Sequence, residues 1–581
     1  MSEVFDDKAK SERGTTRRGA LGLIAGIGAG AGFAGARAQG PDRLDRADIA
    51  CAESLAGVRY TAAERAQILD GIDAWLARAE ALRARERPNA LAPAQTFDPR
   101  LPGVAYPVQD NRFDPGPAPT RRMPADETDI AYASLAELQA WMSAGALTSE
   151  ALTGIYLERI AAHAPALECF IHVARERALA EARRRDEERA AGRVRGPLHG
   201  VPYALKDIID VAGLPSTWGA SLYAERVAQT SAVCAQRLEA AGAVLLGKTT
   251  AGALAYGDIW YDGVTRNPFN PQEGSSGSSA GSASAVAAGL CAFAIGTETL
   301  GSIISPAHRC GAAGLRPSFG RAARTGAMAL CWSLDKIGPM TRFAADAAPV
   351  LAAINGADAG DPASLDHGFA YEADIDLSGL KLGYDPAWFE EAAEPDRAAL
   401  EAARDLGATL VEVRLERKPY DSLLIQLEAE AAAAFEHLTL EDLDDRLRWQ
   451  EPAAWPNTWR RARFSSAIDY VNADRLRREA MAAVHDLFDE ADALIGPNFA
   501  GDMLVATNFT GHPQMAIRSG FTDQPTRTLF GAPAEDSGET RRVPHATSLW
   551  APLFEEGRLI ALAARLEAAI GAADARPPQF S

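Results

Sequence analysis

The chain has 581 residues, of which 47% are hydrophobic and 24% charged, and a formal net charge of −19. That apolar content excludes a disordered chain, which cannot bury enough surface to offset its ordering entropy. The acidic balance argues against nucleic-acid binding as the main task, because phosphate backbones repel it. Only seven of the 59 basic residues are lysines (Lys8, Lys10, Lys206, Lys248, Lys336, Lys381 and Lys418), so any task that requires a lysine has few candidates.

Residues 1–38 read as an address. Thr15-Thr16-Arg17-Arg18-Gly19 precedes an uncharged, Gly/Ala-rich run from Ala20 to Ala36, and Ala36-Arg37-Ala38 is a small-x-small cleavage pattern. The run is too short and too weakly apolar for a comfortable membrane span. The paired arginines resemble a twin-arginine export signal. The expectation is a mature chain starting near Gln39, handed folded to the export machinery, without a stable membrane span, in the periplasm or cell envelope. Cytoplasmic residence is the alternative.

Residues 39–125 form a helix followed by an extended arm. Thr61-Ala62-Ala63-Glu64 is a capping-box start for a helix reaching about Arg87. A Pro-rich stretch from Pro88 to Pro119 carries turn signals and little periodicity, as an arm wrapped on the body or a linker would. From residue 126 onward helix and strand patterns alternate. Helices are expected over 135–142, 150–162, 176–191 and 232–241, and strands over 169–174, 201–205, 243–246 and 291–295. Residues 390–490 read mostly helical (395–406, 420–438, 468–490), with strands at 409–413 and 493–495. Such alternation implies an α/β sheet covered by helices.

Six dispersed cysteines include no C-x-x-C pair, and Cys234 and Cys291 sit in apolar stretches as core residues would. Nine histidines show no metal-ligand spacing, so no metal site is expected. Two motif matches fail on context. Gly242–Thr249 fits the phosphate-loop pattern, but Ala243–Leu246 is itself the strand and a helix precedes it, so the loop that would cradle phosphate is missing. Gly277-Ser278-Ser279-Ala280-Gly281 fits the nucleophile elbow G-x-S-x-G, but a Pro/Gly/Ser loop precedes it rather than a buried strand. Nothing marks His512 or His545 as its partner.

The run from Gly274 to Gly289, GSSGSSAGSASAVAAG, passes straight into the apolar strand Cys291–Ile295, which a flexible linker would not do. It reads as a tight loop entering a helix of small residues, whose N–H groups and hydroxyls converge on one point. A second Gly-bracketed turn follows at Gly296–Ile303, GTETLGSI.

Together with GPLHGVPYALKD (196–207), GSSAGSASAVAAGL (277–290), CGAAGLRPSFGR (310–321), SLDKIGPMTR (333–342) and TNFTGHP (507–513), these segments resemble the amidase signature family of serine hydrolases over residues 126–575. The resemblance implies an amidase signature fold, with a central mixed β-sheet covered by helices on both faces. It implies a Ser–cis-Ser–Lys triad with Ser302 as nucleophile, Ser278 as bridge and Lys206 as base, a variant of the general triad logic. Ser275 competes with Ser278 for the bridging register. Backbone N–H groups of Thr299, Leu300, Gly301 and Ser302 would hold the oxyanion, with Gly277 and Ser279 in support. No cofactor is implied. Lys206 must be neutral to accept a proton, so its pKa must fall from about 10.4. The apolar run Val201–Leu205 could desolvate it, whereas Asp207, pointing inward, would oppose this.

Two departures from the family pattern add side chains near the turns: Leu300-Gly301 where many members carry two glycines, and Ala280-Gly281 after the serine pair. The expected function is hydrolysis of a small-molecule amide to a carboxylic acid and ammonia or an amine, with esterase activity a further option. The alternatives are the A subunit of a glutamine-dependent aminoacyl-tRNA amidotransferase and a non-catalytic binding protein on the same fold. Trp218, Trp260 and Trp332 are candidates for a pocket wall or for core. Oligomeric state is not legible.

Overall fold

Along a strand, successive side chains point to opposite faces of the sheet. In the strands Pro202–Lys206, Val244–Thr249, Phe293–Glu298 and Lys336–Thr341 every residue is buried. A sheet built of such strands must be covered on both faces. The computed structural model describes residues 44–527 and 540–581 and shows this arrangement. The export-signal expectation for residues 1–38 falls outside the described residues.

Eleven strands form the central sheet. In chain order they are β1 (Phe170–Val173), β2 (Pro202–Lys206), β3 (Val244–Thr249), β4 (Phe293–Glu298), β5 (Ala313–Arg316), β6 (Lys336–Thr341), β7 (Lys381–Tyr384), β8 (Thr409–Glu412), β9 (Ala493–Pro497), β10 (Gln514–Pro525) and β11 (Thr540–Trp550). Their spatial order is β8-β7-β9-β11-β10-β5-β6-β4-β2-β3-β1. The sheet is mixed: β4, β2 and β3 run parallel, as do β9, β7 and β8, and the strands between β9 and β4 are antiparallel. The α/β architecture expected from the sequence is therefore present.

Most expected elements lie within a few residues of their bounds. The helix expected over 420–438 is instead a 3-10 turn (Tyr420–Leu423) and two helices (Leu424–Ala434, Glu436–Leu440) broken at Phe435. The break turns the buried Phe435 ring onto Trp459, 5.5 Å between centroids. Packing overrides the continuous helical pattern there.

In the N-terminal region the capping box at Thr61 is formed in both directions and starts the helix Ala62–Arg83, which buries none of its residues. It ends earlier than Arg87. Residues 88–111 carry no helix or strand, and Arg112–Asp114 then pairs in parallel with Ala370–Glu372.

Candidate active site

Strand β2 delivers Lys206 to the interior, where its side chain is fully buried. Its Nζ donates to Ser278 Oγ and Thr297 Oγ1, both at 2.8 Å, and to the Thr297 carbonyl at 3.4 Å. All three acceptors are neutral. An ammonium group taken out of water without a counter-ion loses its hydration, so its acidity rises. Burial accordingly pushes the Lys206 pKa down to about 7, against an opposing pull from Asp335 and Glu298. Both carboxylates face other partners: Asp335 accepts from Thr299 Oγ1 at 2.6 Å and from the amides of Leu330 and Cys331.

Asp207 does not point toward Lys206. It accepts from the Thr217 amide and hydroxyl and from Lys248 Nζ at 3.3 Å. Lys248, of the phosphate-loop look-alike, is fully buried within β3 and also donates to Ser216 Oγ at 2.8 Å.

Ser278 is fully buried on the loop before the helix Ala280–Ala287, and its peptide bond to Gly277 is cis. The two serines that compete for the bridging register have different partners. Ser278 meets the lysine, whereas Ser275 Oγ donates to the Ser276 carbonyl at 2.7 Å and Ser276 Oγ meets Ser305 Oγ at 2.7 Å. Gly277 is required by close approach: a Cβ there would lie 1.8 Å from the Gly257 carbonyl oxygen. Ser279 ties the loop to β4. Its Oγ donates to the Thr297 carbonyl and accepts from the Thr297 amide, each at 3.0 Å, and its own amide donates to the Ser302 carbonyl at 3.1 Å. The serine loop and the Ser302 turn are thereby fixed to one another.

Ser302 lies on the turn between β4 and the helix Ile304–Cys310 and is 8% exposed. The turn passes through Gly301 at φ 84°, a left-handed conformation that favours glycine. Beneath it, Glu298 accepts from the amides of Ile303 (2.8 Å) and Ile304 (3.0 Å) through one oxygen. The other oxygen accepts from Arg316 and Asn508, both at 3.0 Å. Burial raises the Glu298 pKa, but Arg316, Lys336 and the Ile303 and Ile304 amides together more than offset it, so the group is held below the usual carboxylate range. With the amides of Ile303 and Ile304 spent on Glu298, the candidate oxyanion donors fall on Thr299–Ser302. Leu300 is half-buried and packs on the main core.

A cavity adjoins this centre. Its wall includes Ile208, Thr297, Thr299, Met328, Trp332 and Asp335. Of the three tryptophans considered, Trp332 lines it. Trp218 packs tilted against Tyr223 and edge-on against Phe435, and Trp260 edge-on against Tyr261. The two histidines considered for the nucleophile elbow are engaged elsewhere, His512 with Thr510 Oγ1 and His545 with Asp396.

Residues 151–559 match the family model described as Amidase. The chain belongs to the amidase family. Among curated relatives, it is 41% identical over 306 residues to the A subunit of the glutamyl-tRNA(Gln) amidotransferase of Chloroflexus aurantiacus, covering 50% of this chain and 62% of that protein. The chain thus spans under two thirds of that relative's length. It is 33% identical over 441 residues to the same amidotransferase component of Chromohalobacter salexigens, covering 67% of this chain and 90% of that one. Among solved structures it resembles the native peptide amidase of Stenotrophomonas maltophilia, with a TM-score of 0.66, 31% identity, 78% of this chain and 100% of that chain. An aryl acylamidase of bacterial origin (TM-score 0.64, 21% identity, 75% of this chain and 96% of that chain) shares the fold.

The amidase pattern located Lys206, Ser278, Ser279 and Ser302, and the fold brings them together. Thr297, Glu298 and the Arg316–Asn508 brace went unnoticed in the sequence. Thr297 and Glu298 lie inside the recognised GTETLGSI segment, and a buried strand running directly into the Ser302 turn was the available signal. Asn508 reaches Glu298 across 210 residues, a distance that periodicity does not register.

Proposed function

We propose that this amidase-family protein hydrolyses a small-molecule amide through an acyl-enzyme on Ser302. One observation carries the reading: a fully buried lysine with no carboxylate partner, its pKa lowered to about 7, bonded at 2.8 Å to the hydroxyl of Ser278. A neutral amine in that position can accept a proton, whereas an ammonium group cannot.

In the proposed sequence, Lys206 takes the Ser278 proton, Ser278 takes the Ser302 proton, and Ser302 Oγ attacks the substrate carbonyl. The negative charge that develops on the carbonyl oxygen is met by N–H groups of the Thr299–Ser302 turn, a contribution commonly worth several kcal/mol. The carbon–nitrogen bond then breaks, and the leaving nitrogen receives the proton held by Lys206 through Ser278. Water attacks the ester, giving its proton to the same relay and its hydroxyl to the acyl carbon. Ser302 is regenerated and a carboxylic acid leaves.

The test is Ser302→Ala assayed with a panel of amides and esters, beside labelling by a fluorophosphonate probe. Turnover and labelling should both vanish. Persistent turnover would show that the nucleophile lies elsewhere, and a wild-type protein that neither turns over nor labels would favour a binding role.

The 33–41% identity to amidotransferase A subunits favours one second reading, a component that releases ammonia from glutamine for a partner. Co-purification with partner chains from the cytoplasm would support it. The twin-arginine pattern of residues 15–38 favours export instead. Fractionation of the native host should then find the protein in the envelope, and Arg17→Lys with Arg18→Lys should retain it in the cytoplasm.

A further inference from the structure

The cavity beside the candidate triad is closed on one side by the N-terminal arm, which lies outside the 151–559 region that matches the amidase family. Ala90 and Ala92 line it together with Thr297 and Thr299. The arm is tied there by a paired contact. Asn89 Nδ2 donates to the Ala329 carbonyl, and the Ala329 amide donates to Asn89 Oδ1, both at 2.8 Å. Trp332, on the cavity wall, donates from Nε1 to the Asn89 carbonyl at 3.2 Å. Farther along, the Arg477 guanidinium lies 3.3 Å from the centroid of the Phe97 ring, which also packs on Phe319 at 5.1 Å. The segment is therefore fastened at both ends across the cavity.

The charged side chains of the wall each have a partner. Arg324 forms a two-point pair with Asp361 and donates to the Trp332 carbonyl at 2.6 Å. Asp335 holds Thr299 and two backbone amides, and Lys336 donates to the Leu334 carbonyl. Most of the surface facing the cavity is apolar, with Ala90, Ala92, Ile208, Ala255, Met328 and Ile337 among its lining residues. A site of this composition favours apolar groups and gives little to a charged one.

We propose that Asn89–Ala92 form the outer wall of the substrate cavity, which accepts a compact apolar substituent of the amide, with Asn89 as the positioning residue that holds this wall. The assignment rests on the amide-hydrolase reading above, and binding and turnover separate the two. Straight-chain primary carboxamides from propanamide to decanamide are titrated calorimetrically into Ser302→Ala protein and assayed for turnover with the serine in place. Affinity should climb with chain length and then fall. Ala92→Trp should shorten the favoured chain, weakening the parent's best ligand relative to propanamide by roughly tenfold or more, the scale of one or two methylenes in an apolar pocket. Asn89→Ala should extend the favoured length, lowering KM for long amides relative to propanamide. Length profiles of both variants that overlay the parent's would overturn the wall, as would a parent that binds none of the series. Length-dependent binding with no turnover would leave the wall standing and remove the hydrolase reading.

Discussion

Lys206 and Lys248 stand on adjacent parallel strands, β2 and β3, and both are fully buried. Their surroundings differ in one respect. Lys248 has the carboxylate of Asp207 at 3.3 Å, while Lys206 has only hydroxyls and a carbonyl. Burial lowers the pKa of each, but at Lys248 Asp207 pulls it back. In a buried ion pair the Coulomb attraction offsets part of the desolvation of both charges. A buried amine among neutral acceptors keeps that cost, and what it gains is a proton affinity matched to neutral pH. One carboxylate thus separates the environments of the proposed base and of its neighbour.

The comparison breaks most sharply at Lys206. Lys206→Met should reduce kcat by about 10² to 10⁴, the range for loss of a positioned general base. Its thermal midpoint should not fall by more than a few degrees, because the replacement removes an amine whose burial is unfavourable. Activity and melting measured on one preparation test both halves. A collapse in stability would mean that Lys206, like Lys248, is primarily structural.

Lys248→Met should behave in the opposite way. It leaves Asp207 buried with no counter-charge, a defect that typically costs about 3–5 kcal/mol. Unfolding by denaturant should show the loss, while kcat per folded molecule stays within a few-fold of the parent. Replacing both members, Lys248→Met with Asp207→Leu, should recover much of the stability, since a buried pair exchanged for apolar groups is often neutral. A double variant no more stable than the single one would mean that Asp207 acts mainly through Thr217.

The strand that carries each lysine does not by itself separate the two. Each follows an apolar strand, and the phosphate-loop look-alike marked Lys248 more conspicuously. Lys206 stood out only through the company of the GSSAGSASAVAAGL and GTETLGSI segments. Those segments are contiguous, so Ser278, Ser302 and the Gly301 turn between them were legible. The environment of each amine was not, because it comes from across the sheet: Asp207 reaches Lys248 over 41 residues and Thr297 reaches Lys206 over 91. The alternating pattern likewise revealed an α/β sheet with helical cover, but not the long antiparallel pair β10–β11 at its middle. The arm showed the opposite limit: its irregular character was plain from its prolines, while its place over the cavity depends on Asn89 meeting Ala329, 240 residues away.

The smallest effect tests whether the electrostatic difference is graded. With the Lys206 pKa lowered to about 7, the reactive neutral amine is the minor form below that pH and the major form above it. The rate should therefore rise with pH and level off beyond an inflection near 7. Asp335 is the larger of the two charges that stabilise the Lys206 ammonium, although it makes no hydrogen bond to Lys206. Asp335→Asn keeps an acceptor for Thr299 but removes the charge. The ammonium becomes less favourable, its pKa falls further, and the inflection should move toward acid by roughly half a unit, the scale of one screened charge. A shift toward alkali would contradict the assignment of Lys206 as the titrating base, because losing a nearby negative charge cannot raise the pKa of an amine.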